Sequence, residues 1–312
     1  MKKSVLVIAL AFGVSSAFAQ DLTSKKGEPI LPEAEDWAIS FDATPVFQFV
    51  GNAFSGYTGP NGAPSVNFLN SNQTIIGKKF IDEKSAYRVL VRLGFTNQSY
   101  KNLVNDNSIV TPAVFPAQDA QVEDKFSTKS TNIGIGVGKE MRRGKTRLQG
   151  YYGADAMIWI SMSGTKYKYG NVITPVPTAA GQTATPTTTT WDAAGNVTGT
   201  GPSSDRMLST KSGMTFGIGV RGFIGAEYFI FPKISIGAEY GWGIGYQMSG
   251  KGKDINEETQ IVSGVNTLAE QETLTAGSSK FGFDTDINQS NMFSFHGPNS
   301  AGAATLRATF HF

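Results

Sequence analysis

The chain of 312 residues contains no cysteine. That excludes disulfides and a lipid anchor on an N-terminal cysteine. Only two histidines are present, His296 and His311. Beyond the N-terminal segment, no stretch approaches the roughly 20 apolar residues that a spanning helix needs, and mean hydropathy is −0.16. If this chain enters a membrane, it does so as a closed sheet, because strands satisfy their backbone groups in lipid only when the sheet has no open edge. An excess of either charge is also missing. The formal charge is +2, and without Lys2 and Lys3 it is zero, with 25 basic residues against 25 acidic. No basic excess remains to hold nucleic acid.

What is present begins with an export pattern. Lys2 and Lys3 precede the apolar run Val5–Val14, and Ala17-Phe18-Ala19 forms an A-x-A cleavage site. Residues 1–19 therefore read as a cleaved signal peptide, too short in its apolar part for a transmembrane anchor. Residues 20–35 are polar, with Pro29 and Pro32, and read as a short periplasmic lead-in. At the other end, Leu306, Ala308, Phe310 and Phe312 alternate with Arg307, Thr309 and His311. A period of two puts these sets on opposite faces of a strand. An alternating strand with a terminal aromatic suits the last strand of a closed barrel, which pairs with the first to remove the open edge, and it would carry the assembly signal.

Residues 36–312 read as an all-β, antiparallel transmembrane β-barrel. Strand signals occur at Trp37 toward Phe49, Asn70–Ile81, Tyr87–Phe95, Asn132–Gly138, Leu148–Ile160, Thr215–Ile224, Ile234–Tyr246 and the terminus. Tyr87, Val89, Val91, Leu93 and Phe95 against Arg88, Leu90, Arg92 and Gly94 give the clearest alternation. Short turns are expected at Asp82–Ser85, Met141–Lys145 and Phe231–Lys233. Long loops are expected at about residues 50–68, 100–126, 166–209 and 249–301. Long and short connections in alternation are the rhythm of outer-membrane barrels, with long loops outside and short turns in the periplasm. The pattern predicts eight strands, or ten if Ser279–Asp286 and Gln289–Phe295 form a further hairpin. Tyr167–Asp205 is rich in Thr, Pro, Gly and Ala and reads as a mobile loop without a strand. A soluble β-sandwich or lipocalin-like barrel is the competing architecture. The face rich in Gly with Arg and Glu makes a poor soluble core and a good interior for a narrow membrane barrel.

The run Arg221-Gly222-Phe223-Ile224-Gly225-Ala226-Glu227-Tyr228-Phe229 and the following Gly237-Ala238-Glu239-Tyr240-Gly241 carry a resemblance. With the whole strand pattern, they make the chain similar to the small outer-membrane β-barrel family, of the size of the OmpA membrane domain, OmpX and OmpW, in a Bacteroidetes-type form. The resemblance implies an integral outer-membrane protein that meets outer-membrane lipid, periplasmic chaperones and the barrel-assembly machinery. It implies no shared catalytic residues and no cofactor.

Candidate site residues are the charges on the interior face: Asp42, Arg88, Arg92, Asp155, Arg221, Glu239 and Arg307. Glu239 is expected between Arg221 and Arg307, with Arg307 facing Asp42 across the closure and Asp155 reaching Arg221. Charges in a confined interior are costly unless paired. They are expected to plug the barrel and fix its register, and the other reading is a narrow small-solute channel lined by them. A lipid-modifying enzyme using Ser294, His296 and Asp284 is a third reading. Gly134-Ile135-Gly136-Val137-Gly138 lies inside a strand and is no nucleotide fingerprint. Asp284-Thr285-Asp286 lacks the ligands of a calcium loop. No metal site and no cofactor is expected. The leading functional reading is non-enzymatic, a structural barrel or one whose surface loops bind an unidentified envelope partner.

Overall fold

The computed structural model describes residues 22–24, 26–43, Val46, Phe49, 74–111, 113–285 and 305–312. The expected signal peptide, the first long loop, Ser294, His296 and Gln289–Phe295 lie outside the described residues, as does the side chain of Asp284. The fold is all-β. Its main strands are β1 (Trp37–Asp42), β2 (Ile75–Asp82), β3 (Ser85–Asn105), β4 (Gln121–Arg143) and β5 (Leu148–Lys168). Three short strands follow, β6 (Thr187–Trp191), β7 (Val197–Pro202) and β8 (Asp205–Lys211). The chain continues with β9 (Thr215–Phe231), β10 (Ile234–Ser249), β11 (Gly252–Val262), β12 (Val265–Thr275), β13 (Ser278–Asp284) and β14 (Thr305–His311).

The large sheet is antiparallel and partly closes in a ring. β1 pairs with β2, β2 with β3, β3 with β4, and β4 with β5. β5 pairs with β9, β9 with β10, β10 with β14, and β14 returns to β1. In the last register Ile39 faces Phe310 and Asp42 faces Arg307. The two ends of this pair exchange bonds, Trp37 N to Phe312 O at 2.8 Å and Phe312 N to Trp37 O at 2.9 Å.

Strict alternation decides which side chains enter the ring. In β3, Ala86, Arg88, Leu90 and Arg92 are buried, whereas Tyr87, Val89 and Leu93 are exposed. In β14, Arg307, Thr309 and His311 are buried, whereas Leu306, Phe310 and, just past the strand, Phe312 are exposed. Polarity is thus inverted relative to a water-soluble domain, where the informative anomaly is a buried charge or a large exposed apolar surface. Inward glycines make room for large inward neighbours. A Cβ on Gly217 would lie 2.0 Å from the Trp159 ring, and one on Gly138 would lie 2.1 Å from the Asp155 carboxylate.

Turn chemistry sets the short connections. Lys84 N donates to Asp82 Oδ1 at 2.7 Å, an Asx-type turn between β2 and β3. The β9–β10 turn places Pro232 before Lys233, whose φ is 60°. Ser263 and Gly264 both have positive φ, 53° and 82°, which joins β11 to β12 by a type I′-like turn. The lead-in folds back onto this end of the ring. Ile30 is fully buried, and its carbonyl accepts from Lys233 N at 3.3 Å. Asp36 pairs with the Lys233 ammonium. Partial burial works against the Asp36 charge, but the Lys233 ammonium and the Glu33 N–H hold its carboxyl below the ordinary value of 3.8.

The expected loops need correction. β3 runs to Asn105 and β4 starts at Gln121, so the second connection is much shorter than residues 100–126. β4 likewise continues to Arg143, through most of the expected Met141–Lys145 turn. Tyr167–Asp205 is not strandless: β6 and β7 pair within it. The buried Asp124 carboxylate holds this segment. It accepts from Gly170 N at 2.8 Å, Thr189 N at 2.8 Å and Thr189 Oγ1 at 2.9 Å. Asn171 adds bonds to the carbonyls of Asn105 and Thr187 at 2.9 and 3.0 Å. The expected fourth loop contains β11, β12 and β13, with β11 pairing to β8 and β13 to β10.

Asp124→Ala therefore releases the Thr-rich segment without opening the ring. A hydrogen bond to a charged group contributes about 1.5–3 kcal/mol. Thermolysin cleavage between residues 170 and 205 should rise at least about tenfold, one bond of that size. Mobility of the unboiled protein in gels should stay unchanged.

Candidate functional site

The interior of the ring is a stack of side chains supplied by alternate residues of its strands. Nearest the short turns sit Phe80 of β2, Phe229 of β9 and His311 of β14. The His311 ring lies 5.5 Å from Phe80 and 5.1 Å from Phe229, centroid to centroid. Its Nε2 is 3.3 Å from Ser235 Oγ and 3.9 Å from Glu227.

The next layer joins Lys78, Glu140, Arg142 and Glu227. Lys78 reaches Glu140 at 2.9 Å, and Arg142 reaches it at 2.8 Å. Arg142 also pairs with Glu227. Above them lie Arg88, Asp155, Arg221, Glu239 and Arg307. Arg88 links the two layers, at 3.4 Å from Glu140, 3.1 Å from Glu239 and 3.3 Å from Asp155. Arg221 lies 2.8 Å from Glu239 and 3.3 Å from Asp155. Arg307 is 3.9 Å from Glu239 and donates to Ser40 Oγ at 3.0 Å. The Arg88 guanidinium also stacks 3.8 Å from the Phe223 ring centroid, an attraction strengthened where water is excluded. One inward position further along the strands comes an apolar layer of Ile76, Leu90, Met157 and Trp159.

These ionisable groups are 0–3% exposed. Each carboxylate touches at least two cations, and such sharing offsets desolvation better than isolated pairs do. The arrangement neutralises charge and ties together strands far apart in the chain.

The sequence placed Glu239 between Arg221 and Arg307, and the structure brings it to both and to Arg88. Asp155 meets Arg221 and also Arg88. Asp42 stands opposite Arg307 in the β1–β14 register. Arg92 is buried one inward position beyond Leu90. Sequence reasoning missed Lys78, Glu140, Arg142 and Glu227. Glu227 shares the parity of Arg221 along β9, and Glu140 that of Gly138 along β4, so counting in twos finds both. Ending the fourth strand at Gly138 left Glu140 outside it and put Arg142 in a supposed turn. Lys78 carried no such signal, because β2 alternates Ile75, Gly77 and Lys79 with Ile76, Lys78 and Phe80.

No protein-family model matches this chain, and no curated protein matches it.

Proposed function

We propose that this chain is an exported, integral outer-membrane β-barrel protein with a non-enzymatic role. Its ring is an eight-stranded barrel whose interior is plugged and whose long hairpins project from the cell surface. The observation that carries this reading is the inversion of burial: Arg88, Glu140, Asp155, Arg221 and Glu239 are 0–1% exposed, while Val89, Ile135, Ile158, Ile218 and Ile244 are 43–52% exposed. Water punishes that arrangement and a bilayer rewards it. Strand length agrees. β3, β4 and β5 have 21, 23 and 21 residues, whereas a tilted strand crosses the hydrocarbon in about 9–11. The surplus forms a raised outer wall with β6–β8 and β11–β13.

Proximity of opposite charges in stacked layers favours a plug over a pore, since a barrel of eight strands is just wide enough for side chains to fill. The resemblance to the small outer-membrane barrel family points the same way, toward a structural or surface-binding role. Planar lipid bilayers test this. Purified protein inserted in them should give no steady conductance steps. Reproducible ohmic steps that persist would overturn the plugged interior and make the chain a channel.

A further inference from the structure

β12 is an open edge of the large sheet, with β11 its one partner among the described residues. Its register with β11 runs without a shift from Val265 to Thr275. Every residue of β12 except Ala269 is exposed. Edge strands are ordinarily blunted by a proline, charged side chains, a bulge or short length, because unpaired N–H and C=O groups recruit other strands. β12 has eleven residues with no proline, no lysine and no bulge, and its only charges are Glu270 and Glu272, which leave the edge open to a strand of opposite charge.

The face of β12 has a definite pattern. Asn266, Leu268, Glu270, Glu272 and Leu274 share one side, with carboxylates in the middle and leucines flanking them. β11 and β12 together hold one lysine, Lys253, against Asp254, Glu257, Glu258, Glu270 and Glu272. Glu257 is engaged by Arg206 and Glu272 by Lys253. Glu270 stands directly opposite Glu257 in the register, so like charges face each other there. Two copies of β12 pairing antiparallel about Gln271 would set Glu270 against Glu272, and pairing about Glu270 would set it against itself. Like charges directly opposite are destabilising, which speaks against a second copy of this chain.

We propose that β12 takes up a strand from a partner protein, an extended segment with basic side chains at two alternating positions and apolar ones on either side. Main-chain bonds to the free edge would hold it, and the cross-strand neighbours Glu270, Glu272, Leu268 and Leu274 would select it. This rests on reading the β11–β12 hairpin as part of the exposed outer wall.

The test uses the full chain folded in detergent and a labelled peptide, Thr-Leu-Thr-Lys-Thr-Lys-Thr-Leu-Thr. A second peptide carries Glu in place of both Lys. The Lys peptide should bind and should slow amide exchange in β12. The Glu peptide should bind at least about tenfold more weakly, from two pairs changing sign. The difference should shrink at about 1 M salt, where the screening length is about 3 Å. Glu270→Lys should reduce or reverse the preference. Equal binding of both peptides, no binding, or protection outside β12 would overturn the proposal. Concentration-dependent dimerisation blocked by Glu270→Pro would overturn it in favour of a second copy. Gel mobility of the same sample before and after boiling reports the barrel separately. Loss of that shift with peptide selectivity retained would count against the barrel reading alone.

Discussion

Glu239→Ala lowers the stability of the folded protein by about 3–5 kcal/mol, the usual cost of removing one side of a buried ion pair. The carboxylate serves Arg221 at 2.8 Å, Arg88 at 3.1 Å and Arg307 at 3.9 Å, and it is 1% exposed. Its loss removes a shared carboxylate from three guanidinium groups: Arg88 keeps Asp155 and, from the neighbouring layer, Glu140, Arg221 keeps Asp155, and Arg307 keeps Ser40. Urea unfolding of protein reconstituted in lipid vesicles measures the effect. A double-mutant cycle locates it: Glu239 with Arg221 should show strong coupling. Glu239 with Lys233, on the β9–β10 turn, should couple within about 0.5 kcal/mol, as distant sites do. A Glu239→Ala variant as stable as the parent would mean that the layered pairs carry no energetic weight.

Ile158→Arg destabilises the protein by about 2–4 kcal/mol, the depth-dependent cost of a guanidinium on the lipid face of a membrane barrel. Ile158 is half exposed, and its register neighbours are Ile135 on β4 and Ile218 on β9, both outward and apolar. The same change at Leu103, also outward and more than half exposed, should cost no more than about 0.5 kcal/mol, as surface substitutions do. Leu103 faces Glu123 near the far end of β3, in the raised wall. The contrast between two exposed apolar residues is the signature of a bilayer around one of them. Equal costs in vesicles would show that both positions meet the same solvent.

The ring strands were legible wherever the two faces differ in kind. In β3 the outward residues from Tyr87 to Phe95 are all large and apolar, and the inward ones include Arg88 and Arg92. In β10 inward Ser235, Gly237, Glu239 and Gly241 alternate with outward aromatics and isoleucines. That contrast gave the faces, and with them the company of Glu239. β2 hid Lys78 because both of its faces hold isoleucine and lysine. The projecting strands were illegible for a different reason. β6, β7, β11 and β12 carry polar residues on both sides, so no apolar face with a period of two stands out. Their order comes from partners distant in sequence, such as Asp124, which binds Thr189 N across 65 positions. Threonine-rich composition signalled a loop, although β-branched residues suit strands once a long-range anchor fixes them.

A chain without cysteine permits single labels with no background. The decisive measurement is the spin-label accessibility of Ile135→Cys, Ile158→Cys, Ile218→Cys and Ile244→Cys, each reconstituted in lipid vesicles. If the outward face meets a bilayer, all four labels collide preferentially with oxygen, which concentrates in hydrocarbon, and are shielded from a water-soluble nickel complex. Preferential collision with the nickel complex at these positions would contradict the membrane-spanning ring.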